Sequence, residues 1–221
     1  MASYLDTCIF NFEISSYCNA NCPSCLRTRE KENLVLNKHL KVEDFEFLIL
    51  HNIKFFKNNQ YENLLAKFCG EIGDPLLHPN IDQLISIAET VFDEVEIFTN
   101  GGIKNAKWIK KILTRYKKTV FVFGIDGLTD EINQRYRVNV RTDIALKNMI
   151  ESAKHGFTKW HYTIFNHNYH ELPDVIKFTK KYNLTLLCRF NGREFNKLDD
   201  ENIFKCENLL KKNNIEYYVC K

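Results

Sequence analysis

The chain has 221 residues, a formal net charge of +3 and 44% hydrophobic residues. This length suffices for one α/β domain with a sizeable core, and the charge is too mild to favour a nucleic-acid partner. No apolar run is long enough for a signal peptide or a membrane span, so we expect a cytoplasmic protein with no membrane partner. In that compartment, eight cysteines indicate metal ligands or buried thiols rather than disulfides.

Segments typical of strands alternate with segments typical of helices. The predicted strands cover residues 8–14, 64–69, 95–99, 119–125, 159–165, 184–190 and 215–219. Alternation of this kind implies parallel strands joined by right-handed helical crossovers, and too few strands are present for a closed eight-stranded barrel. The predicted fold is therefore α/β, an open, partial TIM-like barrel of about six parallel βα units.

The domain prediction is one core domain over residues 1–221. Its core covers residues 8–190, and a C-terminal helix and strand follow within 191–221. Asp199 is expected to cap that helix, and the last strand to cover the open edge of the sheet.

Three cysteines lie in one short loop after the first predicted strand. Cys18, Cys22 and Cys25 have the spacing C-x3-C-x2-C. Three thiolates so placed can hold an iron–sulfur cluster, and since a four-iron cluster usually has four cysteine ligands, one iron would stay free for a small chelating molecule. The alternative is a zinc site with a fourth ligand elsewhere, although structural zinc sites usually show paired cysteine or histidine units.

The other five cysteines are too isolated to predict a second cluster. They are expected to be structural thiols, mostly in apolar strands. These residues are Cys8, Cys69, Cys188, Cys206 and Cys220.

The second predicted strand ends in a turn that contains Gly70, Gly73 and Asp74. Glycines let the backbone approach a ligand, and carboxylates or free carbonyls can accept hydrogen bonds from an ammonium group. Alone, the turn also fits an ordinary βα connection. Placed one βα unit after the cysteine loop, it resembles the radical S-adenosylmethionine (SAM) superfamily, whose equivalent GGEP turn holds the SAM amino group. The resemblance implies that these three residues contact SAM and that the loop holds a four-iron, four-sulfur (4Fe-4S) cluster.

Two further strand ends resemble the same superfamily. Asn100, in Thr99-Asn100-Gly101, resembles its TNG turn, and Asp126 with Arg137 resembles a DGL…YR segment. The resemblance implies that Asn100 contacts SAM, that Asp126 binds ribose hydroxyls and that Arg137 pairs with the SAM carboxylate. An ordinary turn and a solvated arginine are the structural alternatives.

The fifth and sixth predicted strands end at the same rim. Asn166 or His167 is expected to line the adenosine or substrate pocket, unless this loop only caps the next helix. Arg189 is expected to contact SAM or substrate. The chain departs from many superfamily members at Ser24, where an aromatic residue often packs near adenine. It is similar to the SPASM-type subgroup without that subgroup's cysteine-rich extension.

The resemblance also implies a reaction. A reduced cluster cleaves SAM to methionine and a 5′-deoxyadenosyl radical, which abstracts hydrogen from a substrate. A flavodoxin- or ferredoxin-type protein would donate the electron. A peptide or protein side chain is the favoured substrate, a small metabolite is the first alternative, and a non-enzymatic metal-binding module is the second. No catalytic acid or base is assigned.

Overall fold

The computed structural model describes residues 7–30, 32–34, 36–58, 61, 63–192 and 195–219. Seven strands of this described part form one sheet. They are Thr7–Phe12 (β1), Asn63–Phe68 (β2), Glu94–Thr99 (β3), Thr119–Gly124 (β4), Thr158–Ile164 (β5), Thr185–Phe190 (β6) and Glu216–Val219 (β7). The α-helices are Leu26–Arg29 (α1), Val42–Asn58 (α2), Ile81–Ala88 (α3), Ala106–Arg115 (α4), Asp130–Asn133 (α5), Thr142–His155 (α6), Leu172–Tyr182 (α7) and Asp200–Lys212 (α8).

The strands lie in the sheet in chain order, and every neighbouring pair is parallel. Among the described strands, β1 and β7 each have a single strand neighbour, so the sheet curves into an open half-barrel. This architecture confirms the predicted α/β partial barrel. The sequence pattern had suggested about six βα units, and the seventh strand is the predicted C-terminal one.

The two faces of the sheet differ in chemistry. Toward the helices, strand residues such as Ile97, Trp160 and Phe190 are buried in the core. On the concave face, β2 places Lys67, β5 places His161 and β6 places Arg189 around a cavity. Because side chains alternate between the faces of a strand, these three residues lie on the face opposite the apolar core. The polar concave face is where a ligand can be held.

The C-terminal segment covers the β6 side of the sheet. Asp199 caps α8, since its Oδ1 accepts a hydrogen bond from the Asn202 amide at 2.8 Å. Cys206 on α8 and Cys188 on β6 are both buried, as expected of structural thiols, and Cys220 lies outside the described residues. No described helix is both long enough and apolar enough to cross a membrane.

Candidate functional site

A cavity of about 500 Å³ lies at the carboxyl ends of the strands, within the size range of small-molecule sites. Cys18, Cys22 and Cys25 all line it, as the sequence predicted for a common site. The other predicted site residues that line it are Gly70, Gly73, Asp74, Asn100, Arg137 and Arg189. Cys69 also borders this cavity, which the expectation of a purely structural thiol did not include.

The cysteine loop and the turn after β2 form one unit, which we call the cysteine wall (residues 15–27, 70–76 and Asn100). The Asp74 amide donates a hydrogen bond to the Tyr17 carbonyl at 2.7 Å. A Cβ atom on Gly73 would lie 1.9 Å from the Ser15 carbonyl oxygen, so only glycine fits there. Gly73 is therefore required by packing between turn and loop, in addition to any contact with a ligand.

Arg27 fastens the same two segments and was not singled out from the sequence. Its guanidinium donates to the Ser16 carbonyl and, at 3.4 Å, to the Ile72 carbonyl. The first of these lies in the cysteine loop and the second in the turn after β2. The signal that could have identified Arg27 is its place two residues after the third cysteine.

Two polar groups surround the sulfur of Cys18. The Ala20 amide lies 3.4 Å from it, and the Asn100 side-chain amide lies 3.9 Å away and also donates to Asn19 Oδ1 at 2.7 Å. Hydrogen bonds of this kind favour a thiolate. Asn100 therefore orients the cysteine loop directly.

The acidities of the cysteines depend on burial. Burial raises the pKa of Cys18 to about 12, and the Asp74 carboxylate adds to the effect. Burial also raises the pKa of Cys22, while the Arg137 guanidinium opposes the change. Without metal both groups are neutral thiols near pH 7, so a bound metal would have to displace their protons.

The donor set fits an iron–sulfur cluster. All three thiols face one cavity, and Cys18 and Cys22 lie beside N–H donors and a cation that would stabilise thiolates. Within the described ranges, no group of three His, Cys, Asp or Glu residues is placed to hold a metal ion. In a four-iron cluster each cysteine binds a different iron, so its ligands surround a larger volume than a single ion occupies. Cluster ligation remains a prediction.

Asp74 is buried and hydrogen-bonded on both oxygens. Oδ1 accepts from the Leu76 amide at 3.0 Å, and Oδ2 accepts from the Asn100 amide at 2.9 Å. The Thr99 hydroxyl lies 3.0 and 2.9 Å from the two oxygens. Burial raises the pKa of Asp74 to about 6, although these hydrogen bonds oppose the rise. Asp74 therefore joins the turn after β2 to the end of β3.

Asp126, which is buried, and Arg137, which is partly buried, form an ion pair. Arg137 Nε donates to Asp126 Oδ2 at 2.6 Å, and the Thr163 amide donates to Oδ1 at 2.7 Å. Burial would lower the pKa of Arg137, but the Asp126 carboxylate raises it overall. A Cβ on Gly124 would lie 2.8 Å from the guanidinium, so this glycine leaves room for it. Asp126 is fully buried and orients Arg137, which lines the cavity.

The turn after β5 does not place either of its two candidate residues at the cavity. Asn166 is exposed and lies away from the cavity lining, and its amide donates to the Asn196 carbonyl at 3.0 Å. His167 is buried and stacks on Phe165, with ring centroids 5.0 Å apart. Neither residue is part of the cavity lining, so the expectation that one of them lines the adenosine or substrate pocket is not met.

Asn168, which the sequence analysis missed, organises this turn. It is fully buried, and its Oδ1 accepts from the Phe165 amide at 2.7 Å. Its Nδ2 donates to the carbonyls of Asp126 and Thr163, each at 2.9 Å. Asn168 therefore joins the ends of β4 and β5. The sequence signal that could have identified Asn168 is its position directly after Asn166 and His167, at the end of the same strand.

An aromatic group packs beside Cys22. Tyr136 lies 4.6 Å from Phe165 and 5.8 Å from Phe195, measured between ring centroids. Ser24, where an aromatic residue often occurs in the superfamily, is buried. The aromatic surface near the cysteines thus comes from other segments of the chain.

The opposite side of the cavity is the arginine wall, which consists of His161 and Thr163 on β5 and Arg189 on β6. Arg189 is the register neighbour of Thr163. Burial lowers the pKa of His161 to about 4, and the charges of Arg137 and Arg189 add to the effect. His161 is therefore neutral at pH 7, and Arg189 is the positive group of this wall.

Proteins of known structure share this fold. SuiB from Streptococcus suis, solved with S-adenosylmethionine, superposes with a TM-score of 0.73 at 16% identity, over 96% of this chain and 50% of SuiB. Native anSMEcpe with bound AdoMet gives 0.69 at 14% identity, covering 96% and 63%. A radical SAM methyltransferase from Sphaerobacter thermophilus gives 0.64 at 11% identity, covering 97% and 65%. At these identities the comparisons establish the fold.

Among curated proteins, a 7,8-dihydro-6-hydroxymethylpterin dimethyltransferase of Methanocaldococcus jannaschii is 27% identical over 131 residues. The match covers 57% of this chain and 23% of that protein. No protein-family model matches the chain. The chain thus spans less than two thirds of each of these relatives.

Proposed function

We propose that this chain is a radical SAM enzyme. The observation that carries the proposal is the meeting of the three cysteines, the turn after β2 and Arg137 at one cavity. The shared fold with proteins solved with SAM bound supports it. A metal-binding module would have no need for these strand-end turns.

Cys18, Cys22 and Cys25 would hold a 4Fe-4S cluster. Such a cluster supplies the electron that cleaves SAM to the radical that abstracts hydrogen from the substrate. Gly70 and Gly73 keep the backbone close to the cavity, where free carbonyls can accept from the SAM amino group.

The neighbouring strand ends position SAM and exclude water. Asp126 holds the Arg137 guanidinium so that its remaining N–H groups can pair with the SAM carboxylate. Asn100 acts as a positioning residue, because its side chain binds the cysteine loop at Asn19. Asp74 acts through it, because its carboxylate accepts from the Asn100 amide. The Tyr136 ring lines the cavity and packs on the buried Phe165, so it gives adenine an aromatic surface in place of a residue at position 24.

A peptide or protein side chain is the substrate we favour, since SuiB has been solved with its precursor peptide SuiA, and anSMEcpe with the Cp18Cys peptide. A small metabolite is the second candidate, favoured by the pterin dimethyltransferase that matches over 131 residues. A flavodoxin- or ferredoxin-type electron donor belongs to the same proposal.

Anaerobic reconstitution tests the proposal. The chain should bind about four irons, and with dithionite and SAM it should release 5′-deoxyadenosine. The Cys18→Ser, Cys22→Ser and Cys25→Ser triple variant should lose both properties. Cys8→Ser, in β1, is the matched control and should keep both.

Tight zinc binding without iron uptake would overturn the proposal. Iron uptake without deoxyadenosine release would instead support the metal-binding module. Once release is established, adding candidate peptides or pterins separates the two substrate classes, because a substrate increases the release of 5′-deoxyadenosine.

A further inference from the structure

We infer that Arg189 and Thr163 form a subsite for an oxyanion of the substrate, a carboxylate or a phosphate. The inference rests on the proposed function, because the oxyanion is assigned to the substrate of that reaction. It extends the proposed function, because it assigns Arg189 to the substrate rather than to SAM and gives Thr163 a role beside it.

The charge balance of the concave face carries the inference. Lys159 pairs with Glu94 at 3.1 Å and also contacts Glu96, and Lys67 lies 3.5 Å from Glu96. Within the described part of the chain, Arg189 has no acidic partner within 4.0 Å. Among the described strand residues of this face, Arg189 is therefore the cation without an acidic partner.

Arg189 also has an unused donor. Its Nε atom is buried and, among the described residues, has no hydrogen-bond partner. A buried donor without a partner destabilises the protein, and an acceptor entering the cavity would remove that cost. A guanidinium presents parallel N–H groups that match a carboxylate or a phosphate.

The neighbours of Arg189 complete a polar subsite. Thr163 lies beside it in the register of β5 and β6, and both residues line the cavity. His161, two residues earlier on β5, lines the same region. The Thr163 hydroxyl and the neutral imidazole can each donate one hydrogen bond. Arg189 with these two groups gives an oxyanion several donors.

The placement favours the substrate over SAM. The SAM carboxylate already has a candidate partner in Arg137. The guanidinium of Arg137 interacts with the Cys22 side chain and is held by Asp126. Arg189 is on β6. Arg137 is paired with Asp126, which follows β4, two strands away along the sheet. Two cations from separate elements suit two separate anions.

Calorimetric titration of the full chain, before cluster reconstitution, tests the anion site with inorganic phosphate and acetate as probes. The parent should bind at least one of them, and Arg189→Gln should weaken that binding about tenfold. Arg189→Lys, which keeps the charge but not the planar donors, should retain part of the affinity. Arg141→Gln, an exposed arginine paired with Asp143, is the matched control and should bind as the parent does.

A second titration, with SAM and the cluster-loaded protein, distinguishes the source of the anion. Arg189→Gln should bind SAM within about twofold of the parent, whereas a tenfold loss would overturn the assignment to substrate. A parent that binds neither phosphate nor acetate, or an Arg189→Gln protein that binds them as tightly, would overturn the site itself. Anion binding by a chain that takes up no iron would contradict the proposed function and still support the anion site.

Discussion

The two walls of the cavity differ in how their polar groups are satisfied. On the cysteine wall, Asp74, Asn100 and Arg27 are hydrogen-bonded to neighbouring protein groups. On the arginine wall, Arg189 has a buried donor that no described group accepts. Native proteins rarely leave a buried polar group without a partner, so such a group often marks a functional position.

This difference indicates two roles. Groups already bound to the protein cannot turn toward a ligand without losing those bonds, so the cysteine wall has a fixed geometry. A fixed geometry suits the binding of a cofactor that must be held the same way in every turnover. The arginine wall retains free hydrogen-bonding capacity, which suits a group that enters and leaves.

The largest effect is expected from Gly73→Ala on the cysteine wall. The new Cβ would overlap the Ser15 carbonyl, whose oxygen lies 1.9 Å from its ideal position, so the loop or the turn must move. We expect a loss of at least about 3 kcal/mol in the free energy of unfolding. Urea unfolding measures this, and iron uptake on reconstitution should fall with it.

Gly156→Ala is the control for that experiment. Its Cβ would meet Leu113 at an ordinary contact distance of 3.4 Å, so stability should change by less than about 1 kcal/mol. If the two alanine variants were equally stable, the close packing of turn and loop would not be a constraint.

A smaller, pH-dependent effect is expected at Asp74. Burial raises the pKa of this carboxyl from 3.8 to about 6 in the folded state. The native state therefore keeps its proton to higher pH than the unfolded state, and the stability this gives below about pH 4 is lost as the pH rises through 6. Asp74→Asn removes the titration. As the pH rises from about 4 to 7, the unfolding free energy of Asp74→Asn minus that of the parent should increase by up to about 3 kcal/mol.

Urea unfolding of the metal-free protein at several pH values measures this gain. Asp174→Asn, at an exposed position on α7, controls for the general effect of removing a carboxylate. A difference between Asp74→Asn and the parent that stayed constant with pH would mean that the buried carboxyl has an ordinary acidity.

Much of the fold and the cysteine wall could be predicted from sequence because the signals are local. Alternating strand and helix patterns fix the parallel half-barrel, and three cysteines within eight residues must lie close together. The glycines of the turn after β2 follow the strand immediately. Their place at the cavity therefore follows from topology.

The remaining assignments depend on tertiary contacts that a short motif does not encode. Asn166 and Asn168 are two residues apart and chemically identical, yet the first is exposed and the second is fully buried beneath the turn. Asp126 could be named as a polar strand-end residue, but its partner Arg137 comes from 11 residues later, so the ion pair was not visible. Whether Arg189 has an acidic partner among the described residues depends on how charged side chains from several strands pair across the concave face.

The smallest effect on stability is expected at Arg189, and a matched pair of arginines sharpens the contrast between the walls. Arg27→Gln removes donors from the Ser16 and Ile72 carbonyls, so it should cost about 1–2 kcal/mol. Arg189→Gln removes a cation that lies near Arg137 and His161 and whose buried Nε has no described partner, so it should lower the free energy of unfolding by no more than about 0.5 kcal/mol. Urea unfolding of both variants, without ligand, measures the difference. The expected contrast arises because Arg189 stabilises a ligand rather than the fold. If Arg189→Gln lowered the free energy of unfolding as much as Arg27→Gln, protein contacts would hold the arginine wall as well.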